Sequence, residues 1–253
     1  MGRVRQVRIL IVTAVEAEAV ALRRGIAPVG GTTAGSAAGN GTTVDATAGS
    51  GTTVDAADLA VEVAVVGVGS AAAAAGTSRQ LALAASSGRP YDAVVSAGIG
   101  GGFPDRIAVG QTAVATRSVA ADLGAESPDG FLAIDELGFG TAVAGTDDAL
   151  TSWLRAALPD AVPGAVLTVN TVTGTATTTG TLTGRYPDAV AEAMEGYGVA
   201  CAAELAGLPF AELRTISNPV GPRDRAGWRI PSALAALTTA ASALTGRIAD
   251  YRG

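Results

Sequence analysis

The sequence predicts an α/β fold: a single domain of three layers, with a mostly parallel mixed sheet carrying helices on both faces. Short β-branched runs alternate with Ala-rich helical stretches along the whole chain. Those runs are apolar throughout rather than on alternate residues, as strands covered on both faces must be. The length of 253 residues suits one large domain at about 150 residues per domain, and no stretch has the composition of a linker.

The first element is a strand at Val7–Thr13. Its apolar run has a leader-like look, but it is broken by Arg8 and stops at Glu16, which suits a buried strand better than a signal peptide. A helix follows over Glu16–Arg24, opened by acids that favour a helix N-terminus. The next strand, Val61–Val66, turns at Gly67-Val68-Gly69 into a helix over Ser70–Ser86. Strands at Ala93–Ala97 and Thr112–Thr116 precede a helix at Ala149–Ala157. Further strands at Ala165–Val169 and Val190–Met194 lead to a helix at Gly196–Leu205. A last strand, Phe210–Ile216, and a helix over Pro231–Ala249 complete the chain. Two segments break the alternation. Residues 30–58 form a low-complexity Thr/Gly-rich insert in which GTTVDA occurs twice, read as a slipped duplication in a hairpin or surface loop. Thr171–Thr183 (TVTGTATTTGTLT) is read as a solvated loop or part of a pocket wall.

Composition excludes much chemistry. All 17 basic residues are Arg, with neither Lys nor His in the chain. There can be no Ser-His-Asp or Cys-His pair, no His-ligated zinc, no Schiff-base lysine and no P-loop lysine. Acid/base work falls to Asp, Glu, Tyr, Cys or the substrate. The net charge of −6 argues against a nucleic-acid partner, which needs a clustered basic face. No segment reads as membrane-spanning. The single cysteine, Cys201, fits a reducing, cytoplasmic setting and lies in an apolar helical stretch as small core filler.

In such sheets ligands bind at the carboxyl ends of the strands, so the residues there are the candidates. Gly67–Ala72 matches G-x-G-x-x-A after a strand, but no acid lies between Val63 and Tyr91 to hold a ribose. A tight strand-to-helix turn explains it as well as a dinucleotide does. Ser96–Phe103 (SAGIGGGF) has four glycines in five positions, read as a backbone open to close approach by a flat ligand or as a nest of amides. Of Glu16 and Glu18, at most one can face a pocket. Glu195 stands alone between an apolar strand and an apolar helix, either as a cap or as an acceptor for sugar hydroxyls. Ser217-Asn218 ends the last strand, followed by a Pro-constrained loop carrying Arg223, Asp224 and Arg225.

In order along the chain, ILIVTAVEAE, VVGVGSAAAA, SAGIGGGF with VGQTAVAT, and AMEGYGVACAAELAGLPFAELRTISN resemble the purine nucleosidase and nucleoside phosphorylase superfamily, in its methylthioadenosine/adenosylhomocysteine nucleosidase branch. Within it, Ala121–Phe131 and Ser217–Ile230 are most similar to the futalosine hydrolases. The resemblance implies a nucleoside phosphorylase-like fold over 1–253 and hydrolysis of the N-glycosidic bond of futalosine, releasing hypoxanthine, in menaquinone biosynthesis. It implies a small-molecule nucleoside as partner, no cofactor or metal, and a homo-oligomer. Glu18 would orient the water, Glu195 would accept from the ribose hydroxyls, and Asn218 would meet the purine. Gly98, Ile99, Gly100, Gly101, Met194 and Arg223 would bind substrate. Asn218 departs from the Asp of adenine-specific relatives. An amide offers N–H donors to a 6-oxo group or N7 that a carboxylate lacks, so it implies a 6-oxopurine. Arg223 or Arg225 would bind the substrate's tail carboxylate, or pair with Asp224. Trp228 is expected in the core, with the pocket wall as the alternative. The other readings are another purine nucleosidase, a phosphorylase, or a non-catalytic purine or dinucleotide binder.

Overall fold

A computed structural model describes residues 6–26, 54–56, 59–247 and 250–251. The chain runs β1 (Val7–Thr13), α1 (Glu16–Ile26), β2 (Val54–Ala56), β3 (Leu59–Val65), α2 (Ser70–Ser86), β4 (Ala93–Gly102) and β5 (Thr112–Ala120). It continues with β6 (Gly124–Ser127), β7 (Gly130–Ala133), β8 (Val143–Gly145), α3 (Asp148–Ala157), β9 (Val162–Thr168) and α4 (Ala176–Arg185). The last elements are β10 (Ala189–Ala193), α5 (Gly196–Leu205), β11 (Phe210–Pro219) and α6 (Ile230–Gly246). Of the insert expected at 30–58, residues 30–53 and 57–58 lie outside the described residues, and 54–56 form the short edge strand β2.

The main sheet has the order β10-β9-β5-β11-β4-β1-β3-β2, with β8 beside β5. Parallel pairs join β1 to β3 and β4, β11 to β4, and β9 to β5 and β10. Antiparallel pairs join β11 to β5, β2 to β3 and β8 to β5. β10 also pairs with β4, through Ala191↔Gly102 and Glu192↔Gly101. The strands β4, β11, β5, β9 and β10 therefore close on one another, while β1, β3 and β2 extend as an open sheet.

Side-chain alternation in β1 accounts for the layers. Ile9 and Ile11 pack under α1, α3 and α6 with Leu22, Leu150, Leu154 and Leu237. Leu10 and Val12 point the other way, onto Ala73 and Leu81 of α2 and Val199 and Ala203 of α5. With both faces covered, Ile9–Val12 are apolar on both sides, while Arg8 is buried against Glu62 and Tyr91. α2 and α5 approach so closely that a Cβ on Gly198 would stand 2.1 Å from the Ser70 carbonyl oxygen.

The structure corrects three expectations. The glycine cluster does not follow its strand; Gly98–Gly102 are the last residues of β4. Thr171–Thr183 is not all loop. Thr175 caps α4 by accepting from the Thr178 amide at 3.1 Å, and Thr179 and Thr181 return their hydroxyls to the carbonyls of Thr175 and Thr177. Threonine hydroxyls satisfied in this way tolerate a helix. The hairpin β6–β7, turning at Pro128-Asp129 with Gly130 at φ +124°, and the short β8 were not anticipated.

Gly198→Ala tests the α2–α5 contact against helix propensity, because the two predict opposite signs. Propensity favours alanine by about 1 kcal/mol. The close approach should win, at a cost of about 2–3 kcal/mol and a fall in Tm of roughly 5–10 °C in thermal unfolding.

Candidate active site

Glu18 sits in the first turn of α1, directly after β1. From there its carboxylate turns back on the chain: Oε2 accepts from the Ala14 and Val15 amides at 3.0 and 3.2 Å, and Oε1 accepts from the Ile99 amide of β4 at 2.9 Å. An acid three residues into a helix that reaches back to the capping amide is a local device, written in the sequence. Here it also ties α1 to β4. Glu16 points outward and pairs with Arg23, so one acid of the pair serves the site.

Glu195 ends the β10 segment and opens α5. Its Oε1 accepts from the Gly69 amide and its Oε2 from the Met194 amide, both at 3.3 Å. The glycine turn before α2 explains itself here: Gly67 and Gly69 have φ +101° and +89°, which only glycine adopts without strain. This conformation aims an amide at a carboxylate rather than at a dinucleotide.

Between the two acids lies a guanidinium to which the sequence reading gave no role. Arg214 of β11, 1% exposed, donates through Nε to Glu212 at 2.9 Å, through Nη1 to Glu195 at 3.3 Å and through Nη2 to Ser96 Oγ at 2.8 Å. A Cβ on Gly98 would stand 2.6 Å from Glu18 Oε1 and 2.9 Å from Arg214 Nη1. Gly98 therefore makes room behind these groups and is not among the residues lining the cleft, contrary to its expected substrate contact. Burial pushes the Glu18 carboxyl above its ordinary value, opposed by the Ile99 amide and Arg214 and reinforced by Glu195. Burial likewise raises Glu212, with Arg214 opposing.

Glu18 and Glu195 look onto a cleft of about 260 Å³, with Arg214 and Glu212 buried behind them. It brings together Glu18, Glu195, Asn218, Ile99, Gly100, Gly101, Met194 and Arg223 among the predicted residues. Asn218, at the end of β11, accepts from the Ser217 hydroxyl at 2.7 Å and donates to the Pro219 carbonyl at 3.0 Å. Trp228 lines the cleft instead of the core, half-buried, with the Arg223 and Arg225 guanidiniums 5.6 and 5.8 Å from its ring centroid. Asp224 also lines the cleft and caps a turn by accepting from the Ala226 amide; Arg225 is not among the lining residues. Cys201 is half-buried on α5, and burial pushes its thiol up.

A lining acid, Glu192, was missed, while Thr173 falls in the segment for which a pocket wall was one of two readings. Glu192 of β10 and Thr173 of the loop after β9 face the cleft and hold each other. The available signals were a second acid three positions before Glu195 and an acid and a base two apart, Glu212 and Arg214, inside an apolar strand. Charges in such runs must be paired in the fold. Among the described residues, no cluster of His, Cys, Asp or Glu could hold a metal ion, and no helix is long and apolar enough to cross a membrane.

The family model of the phosphorylase superfamily matches residues 8–251. The futalosine hydrolase of Streptomyces coelicolor is 48% identical over 191 residues, covering 76% of this chain and 81% of its own. That of Acidothermus cellulolyticus is 46% identical over 187 residues, 72% and 74% of the two chains. Among solved structures, the methylthioadenosine/adenosylhomocysteine nucleosidase of Colwellia psychrerythraea, in complex with adenine, is similar with a TM-score of 0.71 at 18% identity, covering 98% of each chain. The native futalosine hydrolase of Helicobacter pylori has a TM-score of 0.70 at 16% identity, covering 96% of this chain and 97% of its own. At such identities the likeness is one of fold.

The buried charge cluster has a measurable consequence for stability. Arg214→Met strands Glu212 without its cation and should cost about 3–5 kcal/mol in chemical denaturation. Adding Glu212→Gln should recover a large part of that loss, a coupling that independent sites would not show.

Proposed function

Because the chain belongs to the phosphorylase superfamily, we propose that it hydrolyses the N-glycosidic bond of futalosine, releasing hypoxanthine and dehypoxanthine futalosine. The observation that carries this reading is the convergence of Glu18, Glu195 and Asn218 on one cleft, in a chain 48% identical to a futalosine hydrolase.

The reaction passes through a ribosyl cation. Water adds its oxygen to the anomeric carbon while the bond to the purine nitrogen breaks and its electron pair leaves with the base. Glu18, fixed by three backbone amides, holds that water and takes its proton. Glu195 accepts from the ribose hydroxyls, and its charge favours the cation as it develops. Asn218 offers its amide to the 6-oxo edge of the departing base. The base takes its proton from solvent, with Asp224 at the cleft wall as the nearest acid of the loop. Met194, Ile99, Gly100 and Gly101 flank the ring and sugar, while Gly98 gives Glu18 its place. Arg223, on the cleft wall beside Trp228, meets the substrate's tail carboxylate.

Phosphorolysis is the second reading, and the charges in the cleft disfavour it. Among the described lining residues, Glu18, Glu192 and Glu195 stand against Arg223 as the one cation. Arg214 lies behind them, committed to Glu212, Glu195 and Ser96. A phosphate dianion would meet those carboxylates and Asp224 with Arg223 alone to hold it. We further propose one nucleosidase domain over 1–253 acting in the cytoplasm, in menaquinone biosynthesis and as a homo-oligomer, without nucleic-acid or membrane partners.

Glu18→Gln and Glu195→Gln should each lower kcat by about 100-fold or more with the fold retained by circular dichroism. A base must be deprotonated to act. The wild-type kcat/KM should therefore fall as pH drops through the Glu18 value, and this acid limb should lie above the ordinary carboxylate range because burial raises it. The limb should be absent from the residual activity of Glu18→Gln. Asn218→Asp should shift the ratio of kcat/KM for 6-oxo over 6-amino nucleosides by about tenfold or more towards the amino substrate, and an unchanged ratio would remove Asn218 from base selection.

A further inference from the structure

Glu192 has no part in the mechanism above, yet it lies in the wall of the same cleft with 5% exposure. Its Oε1 accepts from the Thr173 amide at 2.8 Å, and its Oε2 accepts from the Thr173 hydroxyl. An ionised carboxylate has roughly four acceptor positions, so this clamp fixes the group while leaving acceptor capacity towards the cleft. Burial and the nearby Asp122 charge push its carboxyl up, against the Thr173 donors.

Strand register says what it faces. Glu192 on β10 and Asn218 on β11 both pair with Gly101 of β4, one on either side. Gly101 has no side chain between them, and a Cβ there would stand 2.9 Å from Val220 and 3.4 Å from Asn218 Nδ2. Val220 and the Asn218 amide close over Gly101, and Glu192 and Asn218, from the strands on either side of it, both line the cleft, a carboxylate and an amide on one wall. The edge of a 6-oxopurine is O6, an acceptor, next to N1–H, a donor. The edge of a 6-aminopurine is the reverse, an amino donor next to a bare N1 acceptor.

Resting on the nucleosidase reading, we propose that Glu192, clamped by Thr173 and placed across Gly101 from Asn218, is a specificity-determining residue that accepts the N1–H of the 6-oxopurine ring. The amide donates to the keto side and the carboxylate accepts from the adjacent nitrogen. A 6-aminopurine would set its N1 lone pair against a buried carboxylate, leaving N1 without a donor and two acceptors face to face, which is the costly kind of mismatch. Base selection then rests on two residues from different strands, and Asn218 alone is only half of it.

The test is Glu192→Gln, assayed on inosine and on adenosine. The inosine-to-adenosine ratio of kcat/KM should fall by about tenfold or more, because the glutamine amide can donate to a bare N1. An unchanged ratio, with both substrates losing together, would overturn the proposal and leave Glu192 a structural clamp for Thr173. If the variant does not fold, 1-methylinosine on the wild-type protein decides. Hydrolysis within about threefold of inosine overturns the proposal, and a loss of about 100-fold or more supports it. A wild-type protein that hydrolyses no purine nucleoside would overturn the nucleosidase reading and this proposal together, whereas a futalosine-hydrolysing protein with an unchanged Glu192→Gln ratio overturns this one alone.

Discussion

A guanidinium buried to 1% exposure is the constraint around which the site is built. Taking Arg214 out of water costs several kcal/mol unless every donor is met, and each of its partners is supplied by a different decision of the chain. Glu212 comes from its own strand, two residues back, where alternation puts it on the same face. Ser96 comes from the neighbouring β4, and Glu195 from the junction of β10 and α5. Because a glutamate on the same cation cannot move independently, Glu195 is held before any substrate arrives. Such pre-organisation is what electrostatic catalysis requires, since donors and charges already in place need no reorganisation as the transition state forms.

The closed half of the sheet makes that convergence possible. In an open parallel sheet, β4 and β10 would be far apart. Here β10 returns to pair with β4 at Glu192↔Gly101, so the ends of β1, β4, β10 and β11 meet around one cleft. The glycines of β4 are the geometric cost of this crowding. A Cβ at Gly100 would stand 2.8 Å from the Glu192 carbonyl oxygen, and one at Gly98 would strike both Glu18 and Arg214. They are small because their neighbours are close, charged side chains at Gly98 and a backbone carbonyl at Gly100, which differs from the freedom a turn needs.

That distinction marks what the sequence could disclose. β1 spans Val7–Thr13, α2 Ser70–Ser86 and α5 Gly196–Leu205 in both the sequence reading and the structure, because apolar runs and the turns that bound them are local. Glu18, one of a pair with Glu16, and Glu195, between an apolar strand and an apolar helix, stood at strand ends, and the resemblance gave each its expected role. The glycine run of β4 was misplaced because glycine normally signals a turn, and a strand stripped of side chains by its neighbours looks the same. The threonines of α4 were read as loop because their hydroxyls compete with the backbone, until the helix itself satisfies them. Glu192, and Arg214 apart from its neighbour Glu212, were missed because their partners lie 19 or more residues away in the chain and meet only through strand order.

The charge that stabilises a ribosyl cation also decides what can attack it. Glu18, Glu192 and Glu195 give the cleft a negative wall, favourable to positive charge developing on the sugar and hostile to an incoming dianion. A neutral water feels no such repulsion, and Glu18 can take its proton. The Gly69 amide, at a helix N-terminus suited to anions, is already given to Glu195. With that amide on a carboxylate, the helix dipole steadies Glu195, the group proposed to bind ribose, and is withdrawn from any phosphate. Choice of nucleophile and stabilisation of the cation therefore follow from one placement of charge, set by Arg214 beneath and by the glycines that let the acids approach it.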